Sequence, residues 1–242
     1  AGYTGAMDTT TCVRSSAELD ARAALSHDPF GLMPAALHEH PRVLVTPEQL
    51  ARSRARVGKV AWATRSFERL LAAADEPCDL PAALPTPIDG KLNAGLLTLA
   101  RRNALAHLLT GEAKHLDRAI SIADLLARDD PTLPITHGSR ALGSSLGETR
   151  YTSGLAHLYD MLAATGLDPT RDAAYRAMLE STHAVTDANP HYNCGNHNTW
   201  NLQGRLAVGA ALGDMQIIHD ALYGWRCPQC FRYGLAHQLQ HD

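Results

Sequence analysis

The chain is 242 residues long, 45% of them apolar, with a net charge of −3, enough to build a real core in one large domain or two small ones. The near-even charge balance excludes the broad basic field of a nucleic-acid or anionic-membrane partner, so an acidic ligand has to be held by local groups. No run approaches the roughly 20 apolar residues of a membrane span, and the opening AGYTGAMDTT lacks the basic and apolar regions of a signal peptide and reads as a processed end.

Residues 1–40 show no sustained periodicity and contain Pro29, Gly31 and Pro34, which predicts an arm lying over the surface ahead of a helical domain at 41–242. Thr46, Pro47 and Glu48 then form a helix start, with a capping hydroxyl, proline at the first helical position and an acid in the first turn. The apolar spacing predicts helices over about 47–57, 61–75, 92–110, 113–128, 148–165, 170–188, 194–212 and 214–224. Short joints built on Gly111, Gly166 and Gly213 mark antiparallel helical hairpins. Two longer connections, 76–90 and 129–147, are rich in proline and glycine, the kind of loop that usually carries function. No segment alternates with period two for long enough to be a strand. The expected class is all-α, as an incomplete (α/α) toroid of hairpins; the fixed positions of a tetratricopeptide array are missing.

Five cysteines in a chain this large do not suggest a disulfide framework. Cys227 and Cys230 form a lone CxxC, with His237 and His241 following at helical spacing. The spacing is too short for a zinc finger and no second CxxC exists, so ordinary thiols and solvated histidines are expected, with no metal site and no cofactor.

The densest polar signal is NCGNHNTWN, 193–201, with four asparagines, a histidine and a tryptophan in nine residues. At helical spacing Asn193, Asn196, His197, Trp200, Asn201 and Gly204 share an arc of about 140°, with Leu202, Leu206 and Gly209 opposite. A solvated face would carry Lys and Glu; uncharged amides beside an imidazole and an indole suit a half-desolvated concave site. Free N–H groups in the first turn favour an anion there, and Trp200 offers a platform for a sugar ring. The plainer alternative is that Asn193 caps the helix, the other amides tie loops and the histidine sits in the core. A second patch, Glu148-Thr149-Arg150-Tyr151, opens the helix after a glycine-containing loop, where Arg150 can pair with a carboxylate or join a local salt bridge. His137 in that loop is a weaker candidate.

Three stretches together resemble the N-terminal part of the heparinase II/III-like polysaccharide lyases, which include oligoalginate lyases and heparin or heparan lyases: HPRVLVTPEQLARSRARV, 40–57; GEAKHLDRAISIADLLA, 111–127; and GNHNTWNLQGRLAVGAALGD, 195–214. The last is the specific one. The resemblance implies an incomplete (α/α) toroid followed by a β-sandwich domain, the latter absent from this chain, and cleavage of uronate-containing polysaccharide by β-elimination. It assigns Asn196 and His197 as catalytic, neutralising the uronate carboxylate, with His197 also serving as base for one epimer; Arg150, Tyr151, Asn193, Trp200 and Asn201 are the expected substrate contacts. The family's catalytic tyrosine lies on the next hairpin and a further histidine near the β domain. Tyr223 and Tyr233 come too early to be those groups, so the expectation is a piece of a longer or cleaved enzyme whose remainder completes the site. The resemblance also implies a periplasmic or secreted bacterial setting and an acidic polysaccharide or oligosaccharide as partner, with no nucleic acid and no membrane. Two other readings stay open: a toroid hydrolase of unsaturated uronides, for which Glu148 and Asp160 are the carboxylates on likely inner helices, and a non-catalytic carbohydrate-binding scaffold.

Overall fold

The computed structural model describes residues 34, 37–86, 89–140, 142, 145–188 and 196–223, with side-chain surroundings for all of these but 145, 196–198 and 223. Most of the expected arm, together with Cys227, Cys230, His237 and His241, lies outside the described residues. The protein is all-α. The helices are α1 (Pro47–Arg56), α2 (Ala61–Ala74), α3 (Gly90–Thr110), α4 (Ala113–Asp129), α5 (Ser145–Ala163), α6 (Pro169–Ala188), α7 (Asn196–Leu212) and α8 (Met215–Tyr223). Among the described residues there is no strand; one isolated bridge joins Thr136 to Ser139 within a turn. None of the described helices is long and apolar enough to cross a membrane.

Local chemistry sets the helix ends. At α1 the Thr46 hydroxyl accepts from the Gln49 N–H at 3.3 Å while the Gln49 side chain accepts from the Thr46 N–H at 2.8 Å, a reciprocal capping box. Helix α3 begins earlier than its apolar spacing indicates because the Asp89 carboxylate accepts from the N–H groups of both Lys91 and Leu92 at 3.0 Å. Helix α5 likewise starts at Ser145, ahead of the expected 148, and takes up the end of the glycine-containing loop. Gly111 (φ 78°) and Gly213 (φ 74°) close α3 and α7 in the left-handed conformation that a side chain disfavours.

Alternate helices pack side by side. Helices α3, α5 and α7 form one layer, in which α5 touches both others; α4 and α6 pack against it and each other, with α2 on α3 and α8 on α7. This is the order of a row of hairpins. The core lies between the layers, where Leu96 and Ala100 of α3, Ile122 and Leu126 of α4, Leu155, Leu158 and Leu162 of α5, Leu179 of α6 and Val208 of α7 are buried together. Close approach within the layer needs glycine: a Cβ built on Gly204 of α7 would stand 2.9 Å from the Thr149 carbonyl oxygen of α5.

Candidate functional site

A cleft of about 440 Å³ lies on the α3–α5–α7 layer, with no lining residue from α4 or α6. Its polar lining comes mainly from Arg101 of α3, Arg150 and His157 of α5, and Trp200 and Gln203 of α7, and among the described residues no carboxylate lines it. The three helices contribute by register: 150, 154 and 157 on α5, 94, 98 and 101 on α3, and 200 and 203 on α7 follow i, i+4, i+7 or i, i+3 spacing. Arg150 is exposed and its guanidinium carbon stands 5.2 Å from the centroid of the Trp200 ring, a cation–π pair at the mouth of the cleft. No ion pair engages Arg150 among the described residues, so the local salt bridge expected as its alternative is not formed.

Arg101 and His157 form the floor. The Arg101 Nη2 donates to His157 Nδ1 at 3.0 Å. A guanidinium has only donors, so Nδ1 is the accepting nitrogen and the neutral ring carries its proton on Nε2. Burial, reinforced by the Arg101 charge and opposed by Asp160, pushes the His157 pKa down to about 4, so the ring is neutral at pH 7. Burial also lowers the Arg101 pKa, although the group stays charged. His157 and Gln203 are shared with an adjoining, more apolar cavity of about 660 Å³ lined by Val43, Leu206, Ile218 and Leu222 among others.

Arg150 and Trp200, expected as substrate contacts, do meet at one cleft. Asn196 and His197 open α7 one turn ahead of Trp200: position 196 shares the register of Trp200 and Gln203, and position 197 that of Trp200 and Gly204. Asn193 lies outside the described residues. Asn201 departs from the expectation. It is 5% exposed, is not part of the cleft lining, and its Nδ2 has no hydrogen-bond partner. The arc drawn from the sequence spans two directions: Trp200, 38% exposed, meets the cleft, while Asn201 and Gly204 are buried, Gly204 against α5. Leu206, expected on the apolar back, lines the second cavity. Tyr151 borders the cleft but is 1% exposed; its hydroxyl has no partner and its pKa is raised by burial and by the charges of Asp130 and Glu148. It serves as floor, not as a free hydroxyl. His137 sits exposed in a turn with φ 51° and takes no part in the cleft.

The two carboxylates reserved for hydrolysis are committed elsewhere. Glu148, fully buried, accepts from the Ser139 hydroxyl at 2.7 Å and the Arg140 N–H at 3.1 Å, holding the loop before α5. Asp160, also fully buried, accepts from His40 Nδ1 at 2.7 Å and from the N–H groups of Arg42 and Val43 at 2.8 Å each. Among the described residues no cluster of three or more His, Cys, Asp and Glu side chains is placed to hold a metal. Sequence reasoning missed Arg101, His157 and Gln203. The only available signal was the i, i+4, i+7 stripe Arg150–Gly154–His157, which marks a face without saying what it faces. Neither a family model nor a curated protein matches the chain.

Proposed function

We propose that the cleft holds an acidic sugar chain and that the protein belongs to a lyase cleaving uronate-containing polysaccharide or oligosaccharide by β-elimination, on a helical toroid of which the α3–α5–α7 layer forms part. One observation carries this reading: two guanidinium groups and an exposed indole share a cleft that no carboxylate lines among the described residues. Such a cleft favours a ligand that brings its own negative charge and an apolar ring face. In the reaction, Asn196 and His197 at the start of α7 neutralise the uronate carboxylate, which acidifies the C5 proton. A base removes that proton, the C5–H electron pair becomes the C4–C5 double bond, the C4–O bond breaks, and an acid protonates the departing oxygen. Stabilising the charge that builds on the carboxylate is the largest demand on the protein. In the resembled family a tyrosine supplies that acid. A periplasmic or secreted setting, where such polymers are met, accompanies this reading. Hydrolysis is disfavoured because Glu148 and Asp160 are tied into the fold.

The test uses the full-length gene product on alginate, heparin, heparan sulfate and hyaluronan, following ultraviolet-absorbing 4,5-unsaturated uronate ends. The expected result is an absorbance gain on at least one polymer, lost by about 10²-fold or more in His197→Ala. Arg150→Ala is expected to raise KM by roughly 10- to 100-fold, the range for losing a hydrogen bond to a charged group. No gain on any polymer sinks the lyase reading; binding without turnover leaves a carbohydrate-binding scaffold.

A further inference from the structure

We propose that Arg101 and His157 form a second anion subsite in the cleft, distinct from the station at Arg150 and Trp200, which takes an oxyanion, carboxylate or sulfate, on a sugar further along the same chain. The inference rests on the acidic-sugar reading of the cleft and adds the placement of a second charge.

Arg101 differs from the other arginines drawn into the fold, of which Arg140 donates to the Ser181 hydroxyl and lies near the Asp130 carboxyl. Arg128 and Arg205 pair with carboxylates, Arg171 with two, Arg42 and Arg118 donate to backbone carbonyls, and Arg176 to a tyrosine hydroxyl and a carbonyl. Among the described residues Arg101 has one partner, a neutral imidazole, and its Nε is buried with none. A half-buried cation without a counter-ion is costly, and an anion seated in the cleft supplies the missing charge. The space is built for it: Gly154 lines the cleft directly beside the guanidinium, and a Cβ there would stand 2.7 Å from Leu97 Cδ2 and 3.7 Å from Arg101 Nη1. His157, whose ring borders both cavities, carries an Nε2–H donor without a second charge to repel Arg101.

Spacing separates this station from the first. Arg150 and His157 are seven residues apart on α5, about two turns or 10 Å along the helix. That offset along α5 suits acidic groups on different sugars of one chain.

Calorimetry on the full-length gene product tests this with unsulfated oligouronates of two and four sugars, and with a sulfated glycosaminoglycan tetrasaccharide and its desulfated counterpart. Arg101→Gln is expected to weaken tetrasaccharide binding tenfold or more and disaccharide binding less than threefold. Arg101→Lys, which keeps the charge and the fold but loses the fork, is expected to fall between. A larger loss with the sulfated ligand assigns the subsite to sulfate, an equal loss to carboxylate. Tetrasaccharide binding within threefold of the parent in both variants, or an equal loss for di- and tetrasaccharide, overturns the separate subsite, as does failure of the parent chain to bind any of these ligands. Tight tetrasaccharide binding that depends on Arg101, with no unsaturated product, refutes the lyase reading and leaves the subsite standing. Turnover with unchanged KM in Arg101→Gln does the reverse.

Discussion

Asp130 shows how one buried group can set a pH dependence. It follows α4 at the start of a short 3-10 turn, is fully buried, and accepts from the Thr182 hydroxyl at 3.3 Å, while its Oδ1 has no partner. Burial first and the Glu148 charge second raise its pKa from 3.8 to about 7, against the opposing Arg140 charge and the Thr182 hydrogen bond. The folded pKa is above the unfolded one, so the proton favours the folded state. That contribution is complete below pH 3.8 and is lost as pH rises to 7. His157 acts in the opposite sense: its folded pKa of about 4 lies below the ordinary 6.5, so its contribution grows between those values and masks much of the Asp130 slope in the parent protein. The comparison with Asp130→Asn isolates the carboxyl. The variant is expected to match the parent at pH 5 more nearly than at pH 8, where it should be the more stable by roughly 2 kcal/mol beyond any difference at pH 5. Thermal melts at the two pH values measure this, and a constant offset between the proteins refutes it. Nothing in the pair Asp129-Asp130 reveals that the second is buried, since that depends on α6 closing over it.

At the level of helices, the all-α class and nearly every helix were legible, because their signals are local: the Thr46-Pro47 cap, the glycine joints, and apolar residues repeating at helical spacing. The start of α3 was missed because Gly90 and Lys91 read as loop while Asp89, one position earlier, does the capping. The site was legible only in halves. Trp200 and Arg150 each stood out on their own helix, but their meeting, and the 56-residue separation bridged by Arg101 and His157, depends on which helices share a layer. Periodicity gives a face and not its neighbour, and an arc of about 140° is wide enough to reach two neighbours at once, which is how Asn201 was placed with Trp200. The α5–α7 contact that separates them is testable through paired glycines. Gly204→Ala places a Cβ at 2.9 Å from a backbone carbonyl that cannot yield without moving α5. Overpacking of this kind costs about 1–3 kcal/mol, against a helix-propensity gain of up to about 1 kcal/mol. A net loss is expected, with weaker oligosaccharide binding as Arg150 and Trp200 separate. Gly95→Ala, on an exposed face of α3 with nothing within 4 Å of the new atom, is expected to raise the melting temperature. Equal shifts in both variants would show that backbone contact at Gly204 does not control the layer.

On the scale of the whole molecule, the row of hairpins is strapped at its beginning to its later helices. The sequence reading set a boundary at residue 40 between a surface arm and the domain, yet His40 to Val43 is tied into the domain across that boundary. Asp160 of α5 receives the ring nitrogen of His40 and two backbone N–H groups, and Arg42 reaches on to α7, where its Nε and Nη2 donate to the carbonyls of Ala210 and Ala211 at 2.8 and 3.1 Å. Those carbonyls belong to the last turn of α7, where the Ala210 oxygen otherwise accepts only a long 3.4 Å bond from the Gly213 N–H, so Arg42 caps the helix from a point 168 residues earlier in the chain. In the sequence Asp160 looked like a carboxylate available for chemistry, because a lone acid in an apolar helix gives no hint that a distant backbone needs it. Asp160→Asn keeps the shape but presents an amide donor where an acceptor is required, leaving buried N–H groups unsatisfied, a change that costs about 3–5 kcal/mol when a buried charged partner is lost. The expected outcome is a lower melting temperature together with faster hydrogen exchange at the Arg42 and Val43 amides. If the strap closes the molecule as a unit, exchange also quickens in the last turn of α7, because releasing residues 40–43 withdraws Arg42 from its carbonyls. Arg42→Ala reproduces the second effect without the first if the two anchors act independently, and both effects if they hold the segment together. Unchanged exchange at residues 42 and 43 in Asp160→Asn would show that the segment is held by apolar packing of Val43 alone and that the strap contributes nothing to closure.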